Sequence, residues 1–232
     1  MSKRDEQKRI REQKQREAQQ RAGRQKLLSK AAMFILAPLV LIALGYLIIG
    51  QGKVYSPVEV AATDHVRGNP DGVKLVVYAD FQCPACATEH AVLTQAWDRI
   101  SDRVQLVYRH YPLSTSHPHA WEAATFAEAA ARQGKFWEMY DLLFINQNYW
   151  STLGDVTAEF EGYAQQLGLD LEQVREDIRS SDVTQKVRND QLGGTRAGVR
   201  STPTIFIDGR LVPTPRNASE LIAAVNAASQ QR

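Results

Sequence analysis

The feature that most constrains this chain is a pair of cysteines, Cys83 and Cys86, which are the only two in 232 residues. They follow an apolar, β-prone run at 74–81 and open a segment with a helical pattern. At a helix start, free backbone N–H groups and the helix dipole favour a thiolate. Pro84 suits the first helical position, because its missing N–H costs nothing there. The spacing predicts a redox pair, with Cys83 as the exposed nucleophile and Cys86 as the shielded resolving thiol.

Two other interpretations of the cysteine pair stay open. A C-x-x-C sequence can form half of a zinc site, and Cys86 and His90 have the spacing to share a helix face. His117 and His119 lie in another segment, and no histidine pair follows the cysteines at finger spacing. A purely structural disulfide is the second interpretation, although closing so short a loop removes little entropy from the unfolded chain. The pattern favours redox chemistry without a metal or cofactor.

The first fifty residues predict a basic arm and a membrane anchor. Residues 1–30 carry eleven Lys/Arg and four Asp/Glu, whereas the chain from Lys53 onward is net acidic. Residues 31–50 contain no charge and, as a helix, would span about 30 Å, the thickness of a bilayer core. The arm at 1–30 is expected to face lipid headgroups in the cytoplasm and not to bind nucleic acid. The part that follows residue 50 then lies outside the cytoplasm, in a compartment that permits disulfides; a cleavable signal peptide is the alternative.

The rest of the sequence predicts an α/β domain. Residues 51–71 indicate a tether that leads into an edge segment at 58–60. A strand that ends at 81, a helix over 83–100 and a strand over 104–110 predict a right-handed parallel crossover. A long helical region, a hairpin that turns at an Asp-Gly pair and a closing helix follow; they cover 119–198, 204–212 and 217–229.

Three motifs give the chain a family resemblance. They are Asp80 to Cys86, Gly134 to Met139, and Gly198 to Gly209. With them, residues 56–229 resemble the DsbA-like thiol–disulfide oxidoreductases of the thioredoxin superfamily, in particular the membrane-anchored type with an Asp-Phe-x-Cys-Pro-x-Cys signature. The resemblance implies a thioredoxin-like fold with an inserted α-helical domain, preceded here by one N-terminal transmembrane helix. The implied boundaries are 72–112 and 199–232 for the thioredoxin-like domain and 113–198 for the insertion.

The resemblance also implies which residues form the site. Cys83 and Cys86 are the catalytic pair. The supporting positions of the active site are Pro84, Ala85, Thr202 and Pro203. Asp80 and Phe81 are further candidates. The Thr202–Pro203 bond is expected to be cis and to face the disulfide, which leaves the Thr202 backbone free to pair with an extended substrate.

Two departures from the family pattern concern proton and charge chemistry. Ala85 stands where strongly oxidising members carry histidine, so it gives the Cys83 thiolate no side-chain donor and predicts a less oxidising pair. Many thioredoxin-like proteins have a buried acid on the strand six residues before the first cysteine, where this chain has Val77. The nearest acids are Asp80, interpreted as a turn or cap residue, and Glu89 in the following helix.

The function predicted from these observations is the introduction of disulfides into exported cysteine-containing proteins. A quinone-linked membrane oxidase, DsbB-like or vitamin K epoxide reductase-like, would reoxidise the pair. One alternative is isomerisation or reduction of exported cysteines, including those used in cytochrome maturation. Another is a membrane-bound chaperone module whose disulfide is inert.

Overall fold

The computed structural model describes residues 54–231, together with isolated positions between 14 and 39. The predicted basic arm and transmembrane anchor therefore lie almost entirely outside the described residues. Among the residues described, no helix is long and apolar enough to cross a membrane.

Five strands form one mixed sheet at the centre of the described part. In the order β1-β3-β2-β4-β5 the strands are β1 (His65–Gly68), β3 (Val104–His110), β2 (Val73–Ala79), β4 (Thr204–Ile207) and β5 (Arg210–Val212). β2 and β3 are parallel, and the other neighbouring pairs are antiparallel. Helix α1 (Pro84–Ile100) connects the parallel pair, which confirms the predicted crossover.

Six helices lie between β3 and β4, and one follows β5. They are α2 (Ala120–Arg132), α3 (Phe136–Ile145), α4 (Gln147–Trp150), α5 (Thr157–Gln166), α6 (Leu171–Asp177), α7 (Ser181–Arg196) and α8 (Ala218–Ser229). Side-chain caps begin two of these helices: Asp170 accepts from two backbone N–H groups of α6, and the Asn217 side chain accepts from Glu220 N of α8. The predicted hairpin joins β4 to β5 through Asp208 and Gly209, both with positive φ.

Both faces of the central strand β2 are buried, which explains why its sequence is apolar without alternation. Val77 and Ala79 enter the larger core cluster, together with residues of α1, α8 and the inserted helices. Val76 and Tyr78 enter a smaller cluster behind the sheet. The sheet thereby fixes the end of β2, where the cysteine pair follows.

The predicted edge segment at 58–60 is wrong, because the edge strand is β1, seven residues later. Val58 is exposed and has no strand partner. β1 is polar in sequence, and its half-buried side chains pack against rings: the His65 ring stacks on Phe136 at 3.4 Å between centroids, and Arg67 lies over the rings of Trp97 and Trp137. Hydrophobic periodicity misses such a strand, because ring contacts replace aliphatic burial.

Candidate active site

The cysteine pair lies at the junction between β2 and α1. Cys83 is the N-cap residue of α1, with an extended backbone, and Pro84 occupies the first helical position. Cys86 lies in the first turn, where its N–H donates to Cys83 O at 3.0 Å. The pair therefore lies at the positive end of the helix dipole, as the sequence predicted.

The Cys83 sulfur is surrounded by donors that stabilise its thiolate. The pKa of Cys83 is lowered to about 5, first by a hydrogen bond from the Cys86 thiol; burial opposes this effect, and the Thr202 hydroxyl and the backbone N–H groups of Cys86 and Ala85 reinforce it. Ala85 is exposed and contributes only its backbone, yet the other donors suffice. The Cys83 thiolate is thus strongly favoured, although Ala85 offers it no side-chain donor.

The two thiols differ in access and in ionisation. Cys83 exposes 8% of its surface and Cys86 exposes none. Burial, followed by the hydrogen bond to Cys83, raises the pKa of Cys86 well above its usual range. Cys83 is the more accessible of the two thiols, as predicted, although it is largely buried and not an exposed nucleophile.

A loop before β4 faces the cysteines across the site. The Thr202–Pro203 bond is cis, as the resemblance implied, and Thr202 O lies 3.4 Å from the Cys83 sulfur. The Thr202 hydroxyl is buried and has no other hydrogen-bond partner among the described residues, so it is free to turn its proton towards the thiolate. The structure thus brings Cys83, Cys86, Thr202 and Pro203 together.

Asp80 and Phe81 support the segment that leads into Cys83 through structural contacts. Asp80 is buried; one carboxylate oxygen accepts from Gln82 N at 2.8 Å, and the other accepts from Leu113 N at 2.8 Å and contacts His117 Nδ1 at 2.7 Å. This is the turn role that the sequence favoured for Asp80. The Phe81 ring packs against a set of aromatic rings, namely Tyr108, His110, Tyr140 and Phe144.

Gln147, in the inserted helices, is a site residue that sequence reasoning missed. Its side-chain amide donates to Phe81 O at 2.6 Å and to Cys83 O at 2.9 Å. Both carbonyls are buried, and the bonds offset the cost of removing them from water. No local pattern at position 147 indicates these contacts, because the partners lie more than sixty residues earlier.

One cluster of metal-ligand type lies away from the cysteines. Atoms of His65, His110 and Glu128 all lie within 4.8 Å of one another. Both histidine Nε2 atoms contact the same Glu128 oxygen, at 2.5 and 2.7 Å. A metal-bound histidine usually donates through its second ring nitrogen, whereas Nδ1 of His110 is buried without a partner among the described residues. The arrangement fits a hydrogen-bonded support for β1 and β3 better than a metal centre.

The interpretation of Cys86 and His90 as zinc ligands does not fit their contacts. Cys86 Sγ accepts from Asp80 N at 3.5 Å, and it also donates towards Cys83. His90 Nε2 lies 2.8 Å from an Asp141 oxygen on α3. The two side chains are thus engaged with different partners.

A groove of about 590 Å³ begins beside the cysteines, at Pro84. Its walls come from α1, α3 and α4, and they include Phe144 and the exposed side chain of Ile145. The groove offers apolar surface next to Cys83.

Comparisons with known proteins agree with this geometry. The model of a protein family described as thioredoxin matches residues 60–227. A thioredoxin-like oxidoreductase from Silicibacter pomeroyi DSS-3 has a similar structure, with a TM-score of 0.61 and 28% identity over 73% of this chain and 94% of that one. BdbD from Bacillus subtilis, in its oxidised form, superposes with a TM-score of 0.65 over 77% of this chain and 100% of that one, and its 16% identity shows the fold alone.

Curated relatives share the sequence over a part of their own length. Na(+)/H(+) antiporter NhaA 1 from Mycolicibacterium gilvum is 37% identical over 180 residues, which are 75% of this chain and 28% of that protein. NhaA 3 from Salinispora tropica is 41% identical over 71% of this chain and 24% of that protein. The chain thus spans about a quarter of the length of these relatives. The solved neighbours show the thioredoxin-like fold that carries the cysteine pair.

Proposed function

Since the chain belongs to the thioredoxin family, we propose that it introduces disulfide bonds into exported proteins through Cys83 and Cys86. The observation that carries this proposal is the position of Cys83 at the start of α1, where donors surround its sulfur and lower its pKa to about 5. A thiolate is both the attacking and the leaving form of cysteine sulfur. Stabilising it favours the dithiol state of the pair, and it therefore makes the disulfide state an oxidant.

The reaction begins with a substrate thiolate that attacks the sulfur of Cys83 in the oxidised pair. The Cys83–Cys86 bond breaks, Cys86 takes the electron pair, and a mixed disulfide joins Cys83 to the substrate. A second substrate thiolate then attacks the substrate sulfur of this bond, and Cys83 leaves as its thiolate. The substrate is oxidised by two electrons, the pair is reduced, and a quinone-linked membrane partner, DsbB-like or vitamin K epoxide reductase-like, would restore the disulfide.

The surroundings of Cys83 suit an unfolded polypeptide as substrate. The backbone at Thr202 precedes β4 and lies beside the sulfur, where an extended segment can pair with it. The groove beside Pro84 offers apolar surface for neighbouring side chains. Backbone pairing and apolar contacts depend little on substrate sequence, as general oxidation of exported proteins requires.

The proposed location is the outer side of a bacterial cell membrane, with residues 31–50 as the anchor. It is supported by the uncharged length of this segment and by the basic residues that precede it. Protease added to intact spheroplasts is expected to digest the part that follows residue 50. Protection of that part until the membrane is permeabilised would refute the location.

The activity is tested with the purified chain in detergent, by oxidation of a reduced, unfolded protein with several cysteines. Cys83→Ser is expected to abolish oxidation. Cys86→Ser retains the nucleophile; when it is offered the same protein with its disulfides formed, it is expected to attack one of them and to accumulate a mixed disulfide, because no second thiol of the pair can resolve that bond. An unchanged oxidation rate in Cys83→Ser would remove the proposal.

Ala85 favours a second candidate, in which the pair reduces or isomerises exported disulfides. Its side chain is exposed and gives no donor to the thiolate. The reduction potential separates the candidates, since oxidants lie near about −120 mV and reductants near about −270 mV.

A further inference from the structure

Cys86 needs a partner for its proton, and the strand beneath it does not offer one. In each reaction cycle the Cys86 sulfur leaves or attacks as a thiolate, although its buried surroundings disfavour charge. Val77, on the β2 face towards α1, belongs to the same buried cluster and has no titratable group. Asp80 is nearby, but both its oxygens are engaged by the loop.

Glu89 is the acid whose placement has no structural explanation. It lies on α1 three residues after Cys86, so both occupy the same side of the helix, and both are buried. Glu89 exposes 3% of its surface, and its Oε2 atom has no hydrogen-bond partner among the described residues. Buried carboxylates are normally paired, because an unpaired one loses its hydration without compensation.

The groups around Glu89 show that it shares a compartment with Cys86. Tyr108 of β3 and Tyr140 of α3 are buried, and the charges of both Glu89 and Cys86 raise the pKa of each phenol in addition to the larger effect of burial. Arg67 of β1 also faces Glu89, but its guanidinium lies between two tryptophan rings and its Nε has no partner among the described residues.

The acidity of Glu89 suits proton transfer in both directions. Burial raises the pKa of its carboxyl to about 7, and the attraction of Arg67 offsets only part of this effect. Both protonation states are therefore populated at neutral pH, which is the condition under which a general acid and base is most effective.

We propose that Glu89 is the proton partner of Cys86. The inference rests on the proposed function, since it concerns the same exchange reaction. When a thiolate attacks Cys83, the bond to Cys86 breaks, the electron pair stays on the Cys86 sulfur, and the proton of Glu89 passes to that sulfur. In the reverse step Glu89 takes the proton, Cys86 attacks Cys83 as a thiolate, and the incoming sulfur leaves with its electron pair.

The test measures how fast the oxidised full chain is opened by dithiothreitol between pH 5 and 9, by acid quench, alkylation and mass spectrometry. Wild type is expected to show an inflection from Glu89, at the pKa of its carboxyl in the disulfide state, besides that of the reagent thiol. Glu89→Gln keeps the shape of the side chain and is expected to lose this inflection, with a rate about a hundredfold lower at pH 7. Glu138→Gln makes the same chemical change at an exposed position on α3 and is expected to match wild type.

The outcomes separate this inference from the proposed function. If Glu89→Gln and wild type have the same pH profile, the role of Glu89 is rejected while exchange through Cys83 stands. If wild type does not react with dithiothreitol at all, both fail.

A second measurement covers a Glu89→Gln protein that does not fold. ¹³C-labelled glutamate is followed by NMR in wild type, in the disulfide and the dithiol states. The midpoint of the Glu89 signal is expected to differ between the two states, because Cys86 binds the shared proton only in the dithiol state. Identical midpoints would overturn the inference.

Discussion

The most direct prediction is that the reduced chain reacts as a thiolate well below neutral pH, and that Cys86 is the main cause. With a pKa of about 5, Cys83 is ionised to about 90% at pH 6, against about 0.1% for a thiol at the ordinary value of 9.0. The ionised fraction thus rises about 900-fold. A less basic thiolate is a weaker nucleophile, which takes back a factor of about 40 to 100. Cys83 is therefore expected to be alkylated about tenfold faster than an ordinary thiol at pH 6.

The perturbation is Cys86→Ala, which removes the strongest donor to the Cys83 thiolate. The pKa of Cys83 is expected to rise above about 5, and the alkylation rate at pH 6 to fall accordingly. Iodoacetamide labelling between pH 3 and 9, followed by mass spectrometry, gives the midpoint for each variant. Thr94→Ala, at an exposed position further along α1, is the control and is expected to keep the wild-type midpoint.

Two results would refute this reasoning. A wild-type midpoint near pH 9 would show that the donors around Cys83 do not stabilise its thiolate. An unchanged midpoint in Cys86→Ala would assign the stabilisation to the helix start and the Thr202 hydroxyl instead of Cys86.

Two further predictions concern stability. The pKa of Glu89 is about 7 in the folded chain against 4.5 ordinarily, so its contribution is complete below pH 4.5 and is lost as pH rises through 7; by pH ~8.5 the loss is about 3 kcal/mol. The free energy of unfolding, measured with urea, is expected not to show this decrease with pH in Glu89→Gln. Parallel curves of this free energy against pH for the two proteins would contradict the prediction. Asp64→Asn removes the buried carboxylate that binds Arg109 at 2.8 Å, and it is expected to cost about 3 kcal/mol in urea unfolding. The exposed Asp102→Asn is the control, with a cost below about 1 kcal/mol, and equal costs would contradict the role of burial.

Local sequence patterns predicted the parts of the fold that local chemistry determines. The start of α1 at Pro84, the cap at Asp170 and the turn at Gly209 follow from backbone preferences that a few neighbouring residues express. The cysteine spacing likewise predicted that the pair lies at a helix start, because that start is itself a local feature.

Features that depend on contacts between distant segments were not predictable in this way. Residues 54–64 look like a free tether in the sequence, but the buried Arg109 binds the backbone carbonyls of Tyr55, Ser56 and Glu59 and the Asp64 carboxylate. The buried Glu89 raises the pKa of Tyr108 of β3 and Tyr140 of α3, so its surroundings include residues that are distant in sequence. Such environments are created by the assembled fold, and no window of neighbouring residues encodes them.

The contact of Gln147 with the cysteine loop makes the inserted helices part of the reactive centre. The Gln147 amide of α4 donates to the carbonyl oxygens of Phe81 and Cys83, just before α1. Without it, water would have to donate those hydrogen bonds. A shortened protein in which β3 is joined directly to β4 would lose this amide donor, and Cys83 O would keep only its backbone N–H donors. The cysteine site therefore depends on the insertion as well as on the thioredoxin-like part. An insertion transplanted from a related protein would support the cysteine loop only if it carried a donor of equal reach at the position of Gln147.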